Sequence, residues 1–145
     1  MVLLGPIRLP SWRSTLKVVS KLWAVLLFTT MSNIERTVQW ALGDNPGTRA
    51  AYSKYLTARA NNYRQRRIAP LLNLLDAQLR KIQSPTLLML SASDGTIGYT
   101  DAVEKRARQM IQHLQEEIIP NARHMINTDS PAFVNARIGN FRKEE

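Results

Sequence analysis

Residues 85–95 read Pro-Thr-Leu-Leu-Met-Leu-Ser-Ala-Ser-Asp-Gly, and residues 116–125 read Glu-Glu-Ile-Ile-Pro-Asn-Ala-Arg-His-Met. Thr86–Leu90 is a short apolar run closed by Pro85 on one side and by Ser91–Gly95 on the other, the pattern of a strand buried on both faces. Asp94 stands just past its carboxyl end. Val103, Ala107, Met110, Ile111 and Leu114 then recur at helical spacing. Glu117–Ile119 reads as a second strand, and His124 follows its end. Two parallel strands joined by one helical crossover lie side by side. In open α/β sheets, functional groups collect beyond the carboxyl ends of the strands. Asp94 and His124 are therefore expected to meet.

Working outward, Val2-Leu3-Leu4-Gly5-Pro6-Ile7 is apolar and halts at Gly-Pro, which suits a third short strand. At the other end, Ser130-Pro131 opens a helix with Ser as N-cap and Pro at the first helical position, and Val134, Ile138 and Phe141 form its apolar stripe. Ser32, three residues before Glu35, reads as the cap of a helix through Thr37–Leu42. Gly43–Gly47 breaks the chain, and Arg49–Arg67 reads as a polar, basic helix. These elements predict an α/β fold: a small parallel sheet of about three strands, Val2–Ile7, Thr86–Leu90 and Glu117–Ile119, with helices around it. Residues 1–145 are expected to form a single domain.

The order of acid and histidine resembles the last third of an α/β-hydrolase, whose triad runs serine, acid, histidine along the chain. Pro-Thr-Leu-Leu-Met-Leu-Ser-Ala-Ser-Asp is similar to the acid strand and turn of that family. Ile-Ile-Pro-Asn-Ala-Arg-His-Met-Ile-Asn-Thr-Asp-Ser-Pro is similar to its histidine turn and the start of its final helix. The resemblance implies that Asp94 and His124 are the catalytic acid and base. It also implies that residues 11–81 form a helical lid and that the substrate is a small ester-like molecule. Two positions depart from the family's pattern: Ser91 stands where a glycine is usual, and Arg123 replaces the glycine that commonly precedes the histidine.

The Gly-x-Ser-x-Gly turn that would carry the nucleophile does not occur in these 145 residues. Ser91-Ala92-Ser93-Asp94-Gly95 lacks its first glycine, and Gly95–Gly98 delays any helix where the turn must enter one at once. Such domains often run to about 200–250 residues. The expectation is a truncated or mis-started C-terminal part of a serine hydrolase, inactive alone, which self-associates or complements another polypeptide.

Composition narrows the alternatives. With no cysteine, thiol catalysis, disulfides and thiolate metal sites are excluded. The two histidines, His113 and His124, leave little for a zinc site, and no phosphate loop or calcium loop occurs, so no cofactor and no metal is expected. Taken singly, Asp94 suits an Asx-turn ahead of Gly95, and His124 a turn capped by backbone. Their shared order with the flanking motifs favours the paired reading.

The formal charge of +9 raises anionic partners. Arg59, Arg64, Arg66 and Arg67 with Tyr55 and Tyr63 could grip phosphate and stack bases. No recognised nucleic-acid motif frames them, and a solvated basic face is the plainer account. Leu16–Met31 carries Lys17 and Lys21 around an apolar run, Leu22–Phe28, that falls short of the roughly 20 residues of a spanning helix. It reads as a lid helix, with a targeting or membrane-surface segment as the other reading. The second functional class is thus a basic helical protein associated with membrane or nucleic acid and without catalysis. Under the hydrolase reading the expected location is cytoplasmic.

Overall fold

The structure, a computed structural model, describes residues 1–6, 9, 16, 30–44, 46–62, 73–97 and 99–144. Its strands are Val2–Leu4 (β1), Thr86–Ser91 (β2) and Leu114–Ile119 (β3), all parallel and ordered β1-β2-β3. The register places Leu87 opposite Val2 and Gln115, and Met89 opposite Leu4 and Glu117. Every residue of β2 is buried. The reason is its central position with helices on both faces, which is why its sequence is a continuous apolar run.

Side-chain alternation along β2 divides the core in two. Leu88 and Leu90 pack with Val103, Ala107 and Ile111 from Thr100–Met110 (the helix α4, counting in chain order) and its end. Leu87 and Met89 face the other way, onto Ile119, Ala122, Ile126, Val134 and Phe141. The latter three come from Ile126–Asp129 (α5) and Pro131–Phe141 (α6). Fully burying a Leu or Met side chain contributes about 1.5–3 kcal/mol, so β2 anchors both layers. Helices α1 (Met31–Ala41), α2 (Pro46–Asn62) and α3 (Asp76–Leu79) lie between β1 and β2 in the chain. Val38 and Leu42 form a third small cluster with Tyr52, Leu56 and Met125, seating the α1–α2 pair beside the residue that follows His124.

The α/β fold with a three-stranded parallel sheet is as expected, and several boundaries are not. β3 begins at Leu114 rather than Glu117, so Leu114 is a strand residue. The helix stops at Met110, and a turn through Gln112 and His113 starts the strand. The polar Gln115 and Glu116 hid this strand because β3 is an edge. β1 ends at Leu4, where Gly5 turns into positive φ (+48°). Thr30, not Ser32, caps α1, its hydroxyl accepting the Asn33 N–H at 3.3 Å. α2 starts at Pro46, inside the expected break, with its proline in the first turn where no intrahelical N–H is needed. Ser130 does occupy the N-cap of α6 ahead of Pro131, but without a side-chain cap bond. His113 lies exposed in the turn before β3, not on the helix. The Leu22–Phe28 run and Tyr63, Arg64, Arg66 and Arg67 lie outside the described residues. Among the described residues, no helix is long and apolar enough to cross a membrane.

The two sheet edges are unlike. β3 is guarded by charge: Glu116 pairs with Arg108, and Glu117 with Arg137 at 3.5 Å. β1 carries only Val2, Leu3 and Leu4, and Leu4 is 39% exposed. Met1 C=O and Gly5 N–H both bond to β2. In a parallel ladder this turns the backbone groups of Val2 and Leu4 toward the other side.

Candidate active site

β2 ends at Ser91, and the turn after it carries Asp94, whose side chain is fully buried. β3 ends at Ile119, and the turn after it carries His124, whose side chain is 17% exposed. Because the two strands are adjacent and parallel, both turns leave the same end of the sheet. The structure brings the two sequence-predicted residues together: His124 Nδ1 lies 2.9 Å from Asp94 Oδ2.

The other carboxylate oxygen is also held. Asp94 Oδ1 accepts the Thr96 N–H at 2.8 Å and the Thr96 hydroxyl at 2.6 Å. This is the Asx-turn geometry that Asp94 alone would suggest, so the turn and the His pairing coexist. Burial acts to raise the Asp94 carboxyl. Hydrogen bonds from His124 and the Thr96 hydroxyl, with the nearby imidazole and the Thr96 amide, outweigh it and hold the group below the usual carboxylate range. An ionised Asp94 accepts only, so Nδ1 must be the protonated nitrogen facing it. In the neutral ring Nε2 is then the basic nitrogen, as a general base requires.

The two departures from the family pattern find their places. Ser91 is buried, and its hydroxyl donates to the Ala122 carbonyl while accepting the Ser93 N–H at 3.0 Å. It thereby ties the acid turn to the histidine turn. Arg123 does not disturb the turn, because the left-handed position falls on Asn121 (φ 60°), a residue type that tolerates it. The Arg123 side chain reaches away to the Gln39 carbonyl.

Two contributors were not singled out in the sequence. Gly5 lies against the pair: a Cβ there would sit 3.4 Å from His124 Nδ1 and 3.6 Å from Asp94 Oδ2. Its signal was the Gly-Pro that closes β1. Asp129 accepts the Arg123 N–H at 2.8 Å, one residue before His124. Only its position in the turn of α5 could have marked it. Ser93 is exposed in a turn, and no helix follows until Thr100, so it does not stand on a strand-to-helix elbow. Among the described residues, no group of three or more His, Cys, Asp or Glu side chains gathers to hold a metal ion.

No family model matches the chain. It is 28% identical over 113 residues to carboxylesterase YbfK of Bacillus subtilis (strain 168), an alignment covering 74% of this chain and 38% of that protein. The crystal structure of carboxylesterase CesB (YbfK) from Bacillus subtilis superposes with a TM-score of 0.72 at 20% identity, covering 99% of this chain and 51% of that one. A variant meta-cleavage product hydrolase from Pseudomonas fluorescens IP01 gives 0.71 at 15% identity, covering 99% and 55%. The chain thus spans about half the length of the proteins it resembles.

Proposed function

We propose that this chain, which has the α/β-hydrolase fold over about half the length of its carboxylesterase neighbours, supplies the acid and base of a serine esterase site. The observation that carries this reading is the buried, ionised Asp94 hydrogen-bonded at 2.9 Å to His124 Nδ1. In the reaction, His124 Nε2 takes the proton of a serine hydroxyl as the oxygen attacks an ester carbonyl. Asp94 stabilises the imidazolium that forms, and the same proton then passes to the departing alkoxide. Water repeats the cycle on the acyl-serine, with His124 again as base.

The nucleophile is not provided by this sequence, since none of its serines stands in Gly-x-Ser-x-Gly. The complete site then needs a serine turn from a further segment or from a complementing chain. Among the described residues no strand pairs with the far side of β1, and an additional parallel strand would join the sheet there. Residues 11–81 act as the lid over the active site in this reading, with α1, α2 and α3 as its described helices, all within one domain over residues 1–145.

The test is an assay of the purified chain on an activated acyl ester. The reading expects no saturable turnover and no covalent labelling by a fluorophosphonate. Turnover or labelling that disappears in Ser93→Ala would overturn it by showing that the chain holds its own nucleophile.

A further inference from the structure

The last carbonyls of a helix have no partner within it. At the end of α1 two of these are taken by the histidine turn: the Arg123 guanidinium donates to Gln39 C=O, and the Met125 N–H donates to Ala41 C=O at 3.4 Å. The residues on either side of His124 are therefore bonded to one helix end. The Asp129 carboxylate completes the junction. It accepts the Arg123 N–H at 2.8 Å and, with both oxygens, the Gly43 N–H at 3.0 and 3.1 Å. Gly43 is in turn held from α2, where Arg49 Nε donates to its carbonyl at 2.7 Å and the same guanidinium pairs with Asp44. The fit around Gly43 is tight. A Cβ there would lie 2.6 Å from Asp129 Oδ1 and 2.7 Å from its Cγ.

We infer that Asp129 is a positioning residue that couples the α1–α2 helical pair to His124. One carboxylate spans a backbone amide of the histidine turn and a backbone amide of the loop between α1 and α2. Displacement of the helical pair pulls this carboxylate from the Arg123 amide and loosens the imidazole from Asp94. The base is then fully oriented only while the helical pair is seated. This rests on the reading of His124 as the base, and it adds a device that makes the base sensitive to the lid.

The coupling is measured without any ester, as the rate at which the His124 Nδ1–H proton exchanges with water in NMR spectra of the full chain. Gly43→Ala pushes the Asp129 carboxylate aside from the distant end of the junction. Asp129→Ala removes it. Each is expected to accelerate exchange by roughly 5-fold or more, the lower range of measured site couplings. The double variant is expected to match Asp129→Ala alone, because the carboxylate that the added methyl would displace is then gone. Asp129→Asn, which keeps one carbonyl acceptor and the side-chain shape, is expected to fall between. It serves as the comparison if Asp129→Ala does not fold. Exchange unchanged in Gly43→Ala, or effects that simply add in the double variant, would overturn the coupling. A wild-type chain with no protected Nδ1–H proton would instead overturn the acid–base reading itself, so the two failures are distinguishable.

Discussion

Asp94 Oδ2 meets His124 Nδ1 at 2.9 Å across thirty residues of chain, from the ends of two adjacent parallel strands. The separation is bridged by α4, whose Val103 and Ala107 are buried against β2 residues Leu88 and Leu90. The pair is thus a product of core packing, and perturbing the packing, the turn or the charge should each register in it differently.

The charge predicts a pH dependence. Asp94 has a folded pKa below its ordinary value of 3.8. A depressed carboxyl contributes stability that is present above the unfolded pKa and is lost as pH falls through the folded pKa. The stability difference between wild type and Asp94→Asn, from denaturant melts, should be fully present at about pH 5. It should shrink as pH drops below about 4. A difference independent of pH down to the folded pKa would mean that the carboxylate charge stabilises nothing.

Two arginines on α4 separate buried anchoring from surface pairing. Arg106 donates to Leu9 C=O at 2.5 Å, to Leu74 C=O at 2.6 Å and to Asp76 at 2.8 and 2.9 Å. Arg108, whose side chain is 61% exposed, pairs with Glu104 and Glu116. Removing Arg106 strands the part-buried carbonyls of Leu9 and Leu74, while the exposed Asp76 carboxylate returns to water. Arg106→Ala should cost about 1.5–3 kcal/mol, and Arg108→Ala clearly less, because solvent screens its ion pairs. Chemical denaturation of both variants checks the ordering.

Gly5 predicts a local lesion. Its φ of +48° suits glycine, and an L-residue there is strained by about 1–2 kcal/mol. The added Cβ would also crowd the His124 carbonyl at 3.3 Å. Gly5→Ala should lower stability by at least that amount and shift the His124 ring resonances. Gly139→Ala, where nothing lies within 4 Å of the new Cβ, should do neither.

The order of elements and the pair itself were legible because each carries a strong local signature. A strand buried on both faces is apolar along its middle, here Leu87–Leu90 between Thr86 and Ser91, and Asp94-Gly95 and Pro120-Asn121 mark the turns that follow strands. Less legible was anything set by tertiary contact. β3 has the composition of a polar edge, and its Gln115 and Glu116 are chosen by solvent and by Arg108 and Arg137 rather than by a core. The choice of Thr30 over Ser32 as cap depends on where the chain enters α1. Asp129 looks like any acidic residue before Ser-Pro until Gly43 is brought against it.

The unlike edges predict association. Edge strands without charge template pairing with other chains, and β1 offers Val2, Leu3 and Leu4 where β3 offers Glu116 and Glu117. The isolated chain should self-associate in sedimentation experiments, and Leu4→Lys should shift it toward monomer. A charge change on β3, Glu117→Lys, should not. A wild-type chain that sediments as a monomer at all concentrations would contradict this.

The central claim is that the Asp94 carboxylate holds His124 in the tautomer a general base needs. Imidazole nitrogen chemical shifts of His124, recorded with the ring neutral in wild type and in Asp94→Ala, test it most directly. The wild-type ring should be protonated at Nδ1 and bare at Nε2, with that preference lost in Asp94→Ala. A wild-type ring protonated at Nε2, or one whose tautomer ignores Asp94, would contradict it.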